Sequence, residues 1–257
     1  MSRTKIAFVL SAGENTRLPE APEGGKAHVD LGDGTTPWTR AKGQLEAEGW
    51  MPFVVELESN LRPIPDGPGP LETIPVRYAN GPAGCVRQAI DFLASKIELY
   101  PEDYNLMIWF GDTVLRHTPL PRTTNYAMTC LEAPSYDRPW DWSSAIPSRY
   151  YRGTMTQEEA ASAGWHPCIG IYHVARPEVW VAAADSLMAP LEELDVSSPD
   201  PSASMVDVAN AYVDLAFEEY GALHAMALCE PHAWRDTGES DTLIAFRNEV
   251  SASDRPT

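Results

Sequence analysis

Two short runs of the sequence consist entirely of apolar residues, and they constrain the fold more than any other feature. Residues 6–10 read Ile-Ala-Phe-Val-Leu, and residues 106–110 read Leu-Met-Ile-Trp-Phe. Runs of this length are typical of β-strands buried on both faces, because a strand with one solvated face alternates apolar and polar residues. Such strands occur almost only in parallel sheets that helices cover on both sides. The two runs therefore predict the interior of an α/β sheet.

Helical patterns alternate with further strand patterns along the chain. Helices are predicted from a Thr36-Pro37 start to Gly49 and over residues 85–97, 178–188, 204–220 and 240–248. Further strands are predicted over residues 52–57, 74–79, 126–131, 168–174 and 223–229. This alternation predicts a three-layer, Rossmann-like α/β fold, with a mostly parallel sheet and helices on both faces. We expect residues 1–250 to form a single domain and residues 251–257 a disordered tail.

Charge and cysteine content limit the classes of function. The 257-residue chain has a formal net charge of -18, which argues against binding to nucleic-acid phosphates or to an anionic membrane surface. The cysteines lack the spacing of a zinc site and lie in apolar segments, so we expect reduced core thiols. No apolar run has the roughly 18–20 residues of a membrane helix. These features predict a cytoplasmic protein that binds neither nucleic acid nor membrane.

The loop that follows the first apolar run combines small residues with cations. Because ligands of α/β sheets bind at the carboxyl ends of the strands, this loop is a candidate site. It begins at Leu10, and Ala12 and Gly13 allow backbone amides to approach an anion closely. Arg17 can bind phosphate oxygens through two parallel hydrogen bonds, and Lys26 adds a second cation. The alternative is a surface turn with two solvated basic residues, and the spacing of a Walker A loop is absent.

Two aspartates occupy comparable positions far apart in the sequence. Asp112 follows the second apolar run, and Asp236 lies in the string Trp-Arg-Asp-Thr-Gly over residues 234–238. Two carboxylates together with phosphate oxygens suit Mg²⁺, which takes few protein ligands. Taken singly, each aspartate also fits an ordinary turn or helix cap. Together they predict a magnesium site at the edge of the sheet.

In this order the motifs resemble those of nucleotidyltransferases of the sugar-nucleotide pyrophosphorylase type, such as glucose-1-phosphate thymidylyltransferases. That family carries L-A-A-G-x-G-T-R after its first strand, then P-K, a G-D aspartate and W-x-D-T-G. Here Asn15 stands for the second glycine and Gly25 for the proline. The turn over residues 81–84 resembles the family's turn against the nucleotide base. Gly170, in Gly-Ile-Tyr, resembles a strand glycine that faces the sugar.

The resemblance implies an enzyme that joins a nucleoside triphosphate to a sugar 1-phosphate and releases pyrophosphate. It also implies Mg²⁺ as the cofactor and a homo-oligomeric assembly. The implied roles are catalysis for Arg17 and Lys26, nucleotide binding for Leu10, Ala12, Gly13, Gly81 and Asp112, substrate binding for Gly170 and Glu159, and metal binding for Asp112 and Asp236.

The sequence departs from the family on the sugar side. The family's E-K-P triplet, whose lysine binds the sugar phosphate, is missing, and no lysine follows Lys96. Glu158 or Glu159 is a candidate to take the place of the triplet's glutamate. Arg149 or Arg152 is a candidate to take the place of its lysine. Two alternatives stay open. One is a metal-dependent glycosyltransferase of the same fold class, although its D-x-D motif is absent after Asp112. The other is a non-catalytic protein that binds a nucleotide or a sugar phosphate.

Overall fold

The computed structural model describes most of the chain. The described residues are 3–12, 18, 21–22, 25–60, 72–78, 81–116, 119–122, 125–133, 136, 139–145, 148–188, 204–220, 225–230 and 233–253. Within these ranges, none of the helices combines the length and the apolar character that crossing a membrane requires.

The described elements alternate between strands and helices. The strands are β1 (Thr4–Leu10), β2 (Met51–Leu57), β3 (Thr73–Val76), β4 (Tyr104–Phe110), β5 (Thr113–Leu115), β6 (Tyr126–Cys130), β7 (Trp140–Ala145), β8 (Ser148–Gly153), β9 (Trp165–Val174), β10 (Ala225–Cys229) and β11 (Trp234–Asp236). The helices are α1 (Pro37–Ala47), α2 (Gly81–Ile97), α3 (Gln157–Ala163), α4 (Pro177–Leu187), α5 (Met205–Tyr220) and α6 (Ser240–Ser253). Short 3-10 turns cover Lys26–His28, Glu58–Asn60 and Pro101–Asp103.

One large mixed sheet forms the centre of the molecule. Its strand order is β10-β6-β9-β4-β1-β2-β3, and β7 and β8 join it through β9. Strand β1 pairs in parallel with both β2 and β4, and β10 pairs in parallel with β6. Strand β9 runs antiparallel to its neighbours β4 and β6. A separate two-stranded antiparallel sheet joins β11 to β5. The predicted α/β fold with a mostly parallel sheet is confirmed.

The two faces of the sheet bury separate hydrophobic clusters. Ile6 and Phe8 point into a cluster that includes residues of α2, α4 and α5, whereas Ala7 and Val9 point into a cluster with residues of α1. All of these β1 side chains are fully buried. The apolar run of β1 is therefore explained by burial on both faces, and helices cover both sides of the sheet.

Several local predictions differ from the structure. The turn predicted at residues 81–84 is the first turn of α2, and residues 133–165, which lack a clear period, form the β7–β8 hairpin and α3. Helix α6 continues to Ser253, beyond the predicted start of the tail at residue 251. Within this helix, Glu249 forms ion pairs with Arg116 and Arg235. Residues 254–257 and most of the proline-rich segment lie outside the described residues.

Gly170 of β9 has a conformation and an environment that only glycine tolerates. Its φ angle is +79°, and a Cβ atom added there would lie 2.8 Å from both Cβ and Cγ of Phe110, at the end of β4. Because β9 must approach β4 this closely to form the sheet, Gly170 has a packing role that does not depend on a ligand.

We predict that Gly170→Ala lowers the free energy of unfolding by about 3 kcal/mol. The left-handed backbone costs roughly 1–2 kcal/mol with a side chain, and the overlap with Phe110 adds about 1–3 kcal/mol. Gly49→Ala is the matched control, since Gly49 has φ +77° and open space around the added Cβ; it should cost only the roughly 1–2 kcal/mol of the backbone term. Urea unfolding measures both. Equal losses in the two variants would contradict the packing role.

Candidate functional site

The loops after β1 and β4 are joined at the carboxyl edge of the sheet. The backbone N–H of Gly111 donates a hydrogen bond of 2.9 Å to the carbonyl of Leu10. A Cβ atom on Gly111 would lie within 3.0 Å of that carbonyl oxygen and of Cβ of Ala27. Because Gly111 has no side chain, the turn of residues 26–28 can pack directly against the ends of both strands.

This turn holds Lys26 in place through contacts on both sides of it. Gly25 has a φ angle of +85°, and a Cβ atom there would lie 2.7 Å from Oγ of Ser11. Proline cannot adopt that φ, so the turn in this conformation excludes proline at position 25. On the other side, His28 is bonded to the buried carboxylate of Glu56, at the end of β2. As a result Nζ of Lys26 lies 3.6 Å from Oδ2 of Asp112.

Asp112 and Asp236 are brought together by the residues that follow Asp236. The backbone N–H and the hydroxyl of Thr237 both donate to the carbonyl of Asp112, at 2.8 and 3.0 Å. The backbone N–H of Gly238 donates to Oδ1 of Asp236 at 2.8 Å. A Cβ atom on Gly238 would lie within 3.0 Å of oxygens of both carboxylates. The two carboxylates therefore flank one glycine, and any side chain there would displace them.

The carboxylate pair matches the ligands that Mg²⁺ uses. Magnesium is bound through one or two carboxylates, and phosphate oxygens and water complete its octahedron. Asp112 and Asp236 are both partly exposed, so a bound nucleotide could supply those oxygens. Among the residues that the structure describes, no group of three or more His, Cys, Asp or Glu side chains could hold a metal alone. The donor set fits a cation shared with a phosphorylated ligand.

The other predicted nucleotide-binding residues are only partly described. Leu10 ends β1, Ala12 follows two residues later at the same edge, and Ala12 is buried. Gly81 begins α2 with a φ angle of +80° and open space at its Cβ position. Gly13 and Arg17 lie outside the described residues, so their predicted roles stay predictions.

Residues predicted for the sugar side have structural partners. Glu159 is exposed, and its carboxylate accepts hydrogen bonds of 2.8 Å from the backbone N–H and hydroxyl of Thr156, which cap α3. Those bonds lower the pKa of the Glu159 carboxyl. Arg149 forms an ion pair with Asp214 at 2.8 Å, and Arg152 forms one with Asp141 at 2.5 Å. A substrate-binding role for Glu159 stays a prediction beside its capping role.

Aromatic residues line the sheet next to Gly170, which the sequence analysis missed. The ring centroids of Phe110 and Tyr172 are 6.0 Å apart, and those of Tyr150 and Tyr172 are 6.1 Å apart. Burial raises the pKa of both tyrosine hydroxyls well above the ordinary value, so the rings are neutral. The Gly-Ile-Tyr string was the only sequence signal for this group of aromatic rings, and it did not indicate Tyr150.

Comparisons by sequence and by structure give different results. No protein-family model matches the sequence, and no curated protein matches it either. Solved structures do match. A nucleoside-diphosphate-sugar pyrophosphorylase from Vibrio cholerae RC9 has a TM-score of 0.65 at 14% identity, covering 95% of this chain and 99% of that one. A UDP-glucose pyrophosphorylase complexed with UDP-glucose has a TM-score of 0.66 at 9% identity, covering 97% and 99%. The chain has the fold of the sugar-nucleotide pyrophosphorylases.

The same fold extends to nucleotidyltransferases named for other phosphate substrates. The inositol-1-phosphate CTP transferase from T. maritima has a TM-score of 0.60 at 12% identity, covering 99% of both chains. The order of motifs in the sequence and the similarity of the structures therefore point to the same fold.

We predict that the ion pair between Lys26 and Asp112 stabilises the folded protein. Both side chains are largely buried, with exposed fractions of 14% and 24%. A double-mutant cycle of Lys26→Met and Asp112→Asn, measured by urea unfolding, should give a coupling of about 1 kcal/mol. The control pair is Arg77 and Glu58, which are 76% and 62% exposed; their cycle should give less than about 0.5 kcal/mol. The same coupling in both cycles would contradict the assignment.

Proposed function

We propose that the protein is a nucleotidyltransferase that joins a nucleoside triphosphate to a sugar 1-phosphate, forming a nucleotide-sugar and pyrophosphate. The observation that carries the proposal is the meeting of Lys26, Asp112 and Asp236 at the carboxyl edge of β1 and β4. Any two of these three residues are 86 to 210 positions apart in the sequence. They nevertheless lie at one edge of the sheet. A cation beside two carboxylates that could hold Mg²⁺ is an arrangement suited to phosphoryl-type transfer.

In the proposed reaction, a phosphate oxygen of the acceptor attacks the α-phosphorus of the triphosphate. The bond from that phosphorus to the bridging oxygen breaks, and pyrophosphate leaves. Little covalent chemistry falls to the protein, so positioning and neutralisation of charge dominate. The ammonium of Lys26 neutralises charge on the triphosphate. Arg17, in the same loop, is proposed to bind its oxygens as well.

Mg²⁺ is the proposed cofactor, with Asp112 and Asp236 as its protein ligands. When bound, it would supply positive charge and alignment for the phosphates. The chain's own part is to hold the two carboxylates close to one another. Thr237 does this by fixing the carbonyl of Asp112, and Gly238 leaves the space between the carboxylates open.

The similar structures suggest which acceptors to test. One is a UDP-glucose pyrophosphorylase complexed with UDP-glucose and another is an inositol-1-phosphate CTP transferase, so sugar 1-phosphates and inositol 1-phosphate both belong in an assay. A glycosyltransferase is less well supported. A D-x-D motif starting at Asp112 would place its second aspartate at position 114, where this chain has the buried Val114.

We predict that the purified protein releases pyrophosphate from at least one nucleoside triphosphate when Mg²⁺ and a suitable acceptor are present. The panel combines each triphosphate with sugar 1-phosphates and inositol 1-phosphate. Asp112→Asn, Asp236→Asn and Lys26→Met should each lower kcat by about 10²–10³-fold, because each removes a pre-organised charge from the site.

Matched controls remove the same charges elsewhere. Asp103→Asn, at the opposite end of β4, and Lys96→Met, in the exposed last turn of α2, should leave kcat unchanged. Equal kcat values in the site variants and the control variants would contradict the assignment of the site. Saturable triphosphate binding without pyrophosphate release across the whole panel would instead support the binding-protein alternative.

A further inference from the structure

Cys130 and Cys229 lie side by side at the carboxyl ends of neighbouring strands. They are register partners in the parallel pairing of β6 with β10. Both are buried, both are free thiols, and both belong to the same hydrophobic cluster. Neighbouring strands are about 4.8 Å apart, and a disulfide bridges Cα atoms roughly 4.4–6.8 Å apart. The pair is therefore placed for a covalent link that needs no change in strand register.

Hydrogen-bond donors surround the sulfur of Cys130. The thiol of Cys229 donates to it, and so do the indole N–H of Trp234 and the backbone N–H groups of Glu132 and Leu131. Together these donors outweigh the effect of burial and lower the pKa of the Cys130 thiol to about 6. The pKa of the Cys229 thiol is raised, because it donates to Cys130 and is itself buried. Within the pair, these hydrogen bonds favour the thiolate form of Cys130 and the thiol form of Cys229.

The other two cysteines have no comparable environment. Burial raises the pKa of the Cys85 thiol to about 12, and burial also raises the pKa of the Cys168 thiol. Because the thiolate is the reactive form of cysteine, these two thiols are inert internal references.

A cavity borders two of the residues that contact Cys130. It has a volume of about 270 Å³, and Glu132 and Trp234, which both contact Cys130, line it together with Ala133 and Asp236. In addition, β10 is the outermost strand of the sheet order. The same cavity therefore reaches both the donors around Cys130 and the carboxylate of Asp236.

We propose that Cys130 and Cys229 form a redox-active thiol pair, in which Cys130 is the attacking thiolate and Cys229 the resolving thiol. The co-reactant is a low-molecular-weight disulfide such as oxidised glutathione. The Cys130 thiolate attacks one of its sulfurs, a mixed disulfide forms, and one small thiolate leaves. Cys229 then loses its proton and attacks the Cys130 sulfur, which releases the second small thiol. Two protein thiols are oxidised by two electrons, and one small disulfide is reduced to two thiols.

Formation of this disulfide would turn the Cys130 sulfur, which accepts the indole N–H of Trp234, into a weaker hydrogen-bond acceptor. Trp234 begins β11, and Asp236 ends it two residues later. Oxidation therefore acts on the strand that carries a proposed metal ligand. This consequence for activity rests on the proposed function, whereas the thiol chemistry itself does not.

The experiment begins with the native wild-type protein, so it does not depend on any variant folding. A short pulse of iodoacetamide at neutral pH is followed by peptide mass spectrometry of all four cysteines. We expect Cys130 to be alkylated at least about tenfold faster than Cys85 and Cys168. Alkylation of Cys130 at the rate of Cys85 would overturn the proposal.

Oxidised glutathione then tests the pairing. In the wild type we expect a peptide cross-linked between Cys130 and Cys229, which dithiothreitol cleaves. Cys229→Ser should stop at a glutathione adduct on Cys130, and Cys130→Ser should form neither product. A cross-link or adduct that involves Cys85 or Cys168 instead, or no oxidation of the native wild type, would overturn the proposal. Because these readouts are chemical, they stand whether or not pyrophosphate is released.

Discussion

The candidate site depends on the parallel pairing of β1 with β4. Their register runs from Thr4 opposite Tyr104 to Leu10 opposite Phe110, so both strands end at the same level. The loops that follow are then forced to share one edge, and the bond from Gly111 to the Leu10 carbonyl joins them. Thr237 adds the third segment by bonding to Asp112 across 125 positions of sequence. Without this pairing, no local preference of the chain would bring Lys26, Asp112 and Asp236 together.

The sequence predicted the elements whose signals are local. The fully apolar runs of β1 and β4 and the Thr36-Pro37 helix start are confirmed, because burial on both faces and capping leave direct patterns in composition. The reversed direction of β9 and the β7–β8 hairpin were missed, since burial patterns do not encode strand direction. In the site, Asp112 was predicted from its position after a strand, Lys26 from the loop after the first strand, and Asp236 from the string Trp-Arg-Asp-Thr-Gly. The adjacency of Cys130 and Cys229 could not be predicted, because it depends on which strands pair.

Electrostatics divides the site into two unlike halves. With a net charge of -18, the chain as a whole repels a triphosphate. At the edge beside β1, Lys26 offsets this repulsion locally. A divalent cation bound to the two carboxylates would offset it further. On the other side of β4, neutral aromatic rings replace charged groups, and both arginines of the β7–β8 hairpin are paired with carboxylates.

The central claim is that Asp112 and Asp236 hold one divalent cation together with a nucleotide. The most direct test is diffraction from crystals grown with Mn²⁺ and a non-hydrolysable nucleoside triphosphate, with anomalous scattering used to locate the metal. The account predicts an anomalous peak about 2.0–2.6 Å from oxygens of both carboxylates and of the phosphates. A nucleotide bound at this edge with manganese absent from the carboxylates, or a peak at another part of the molecule, would contradict it.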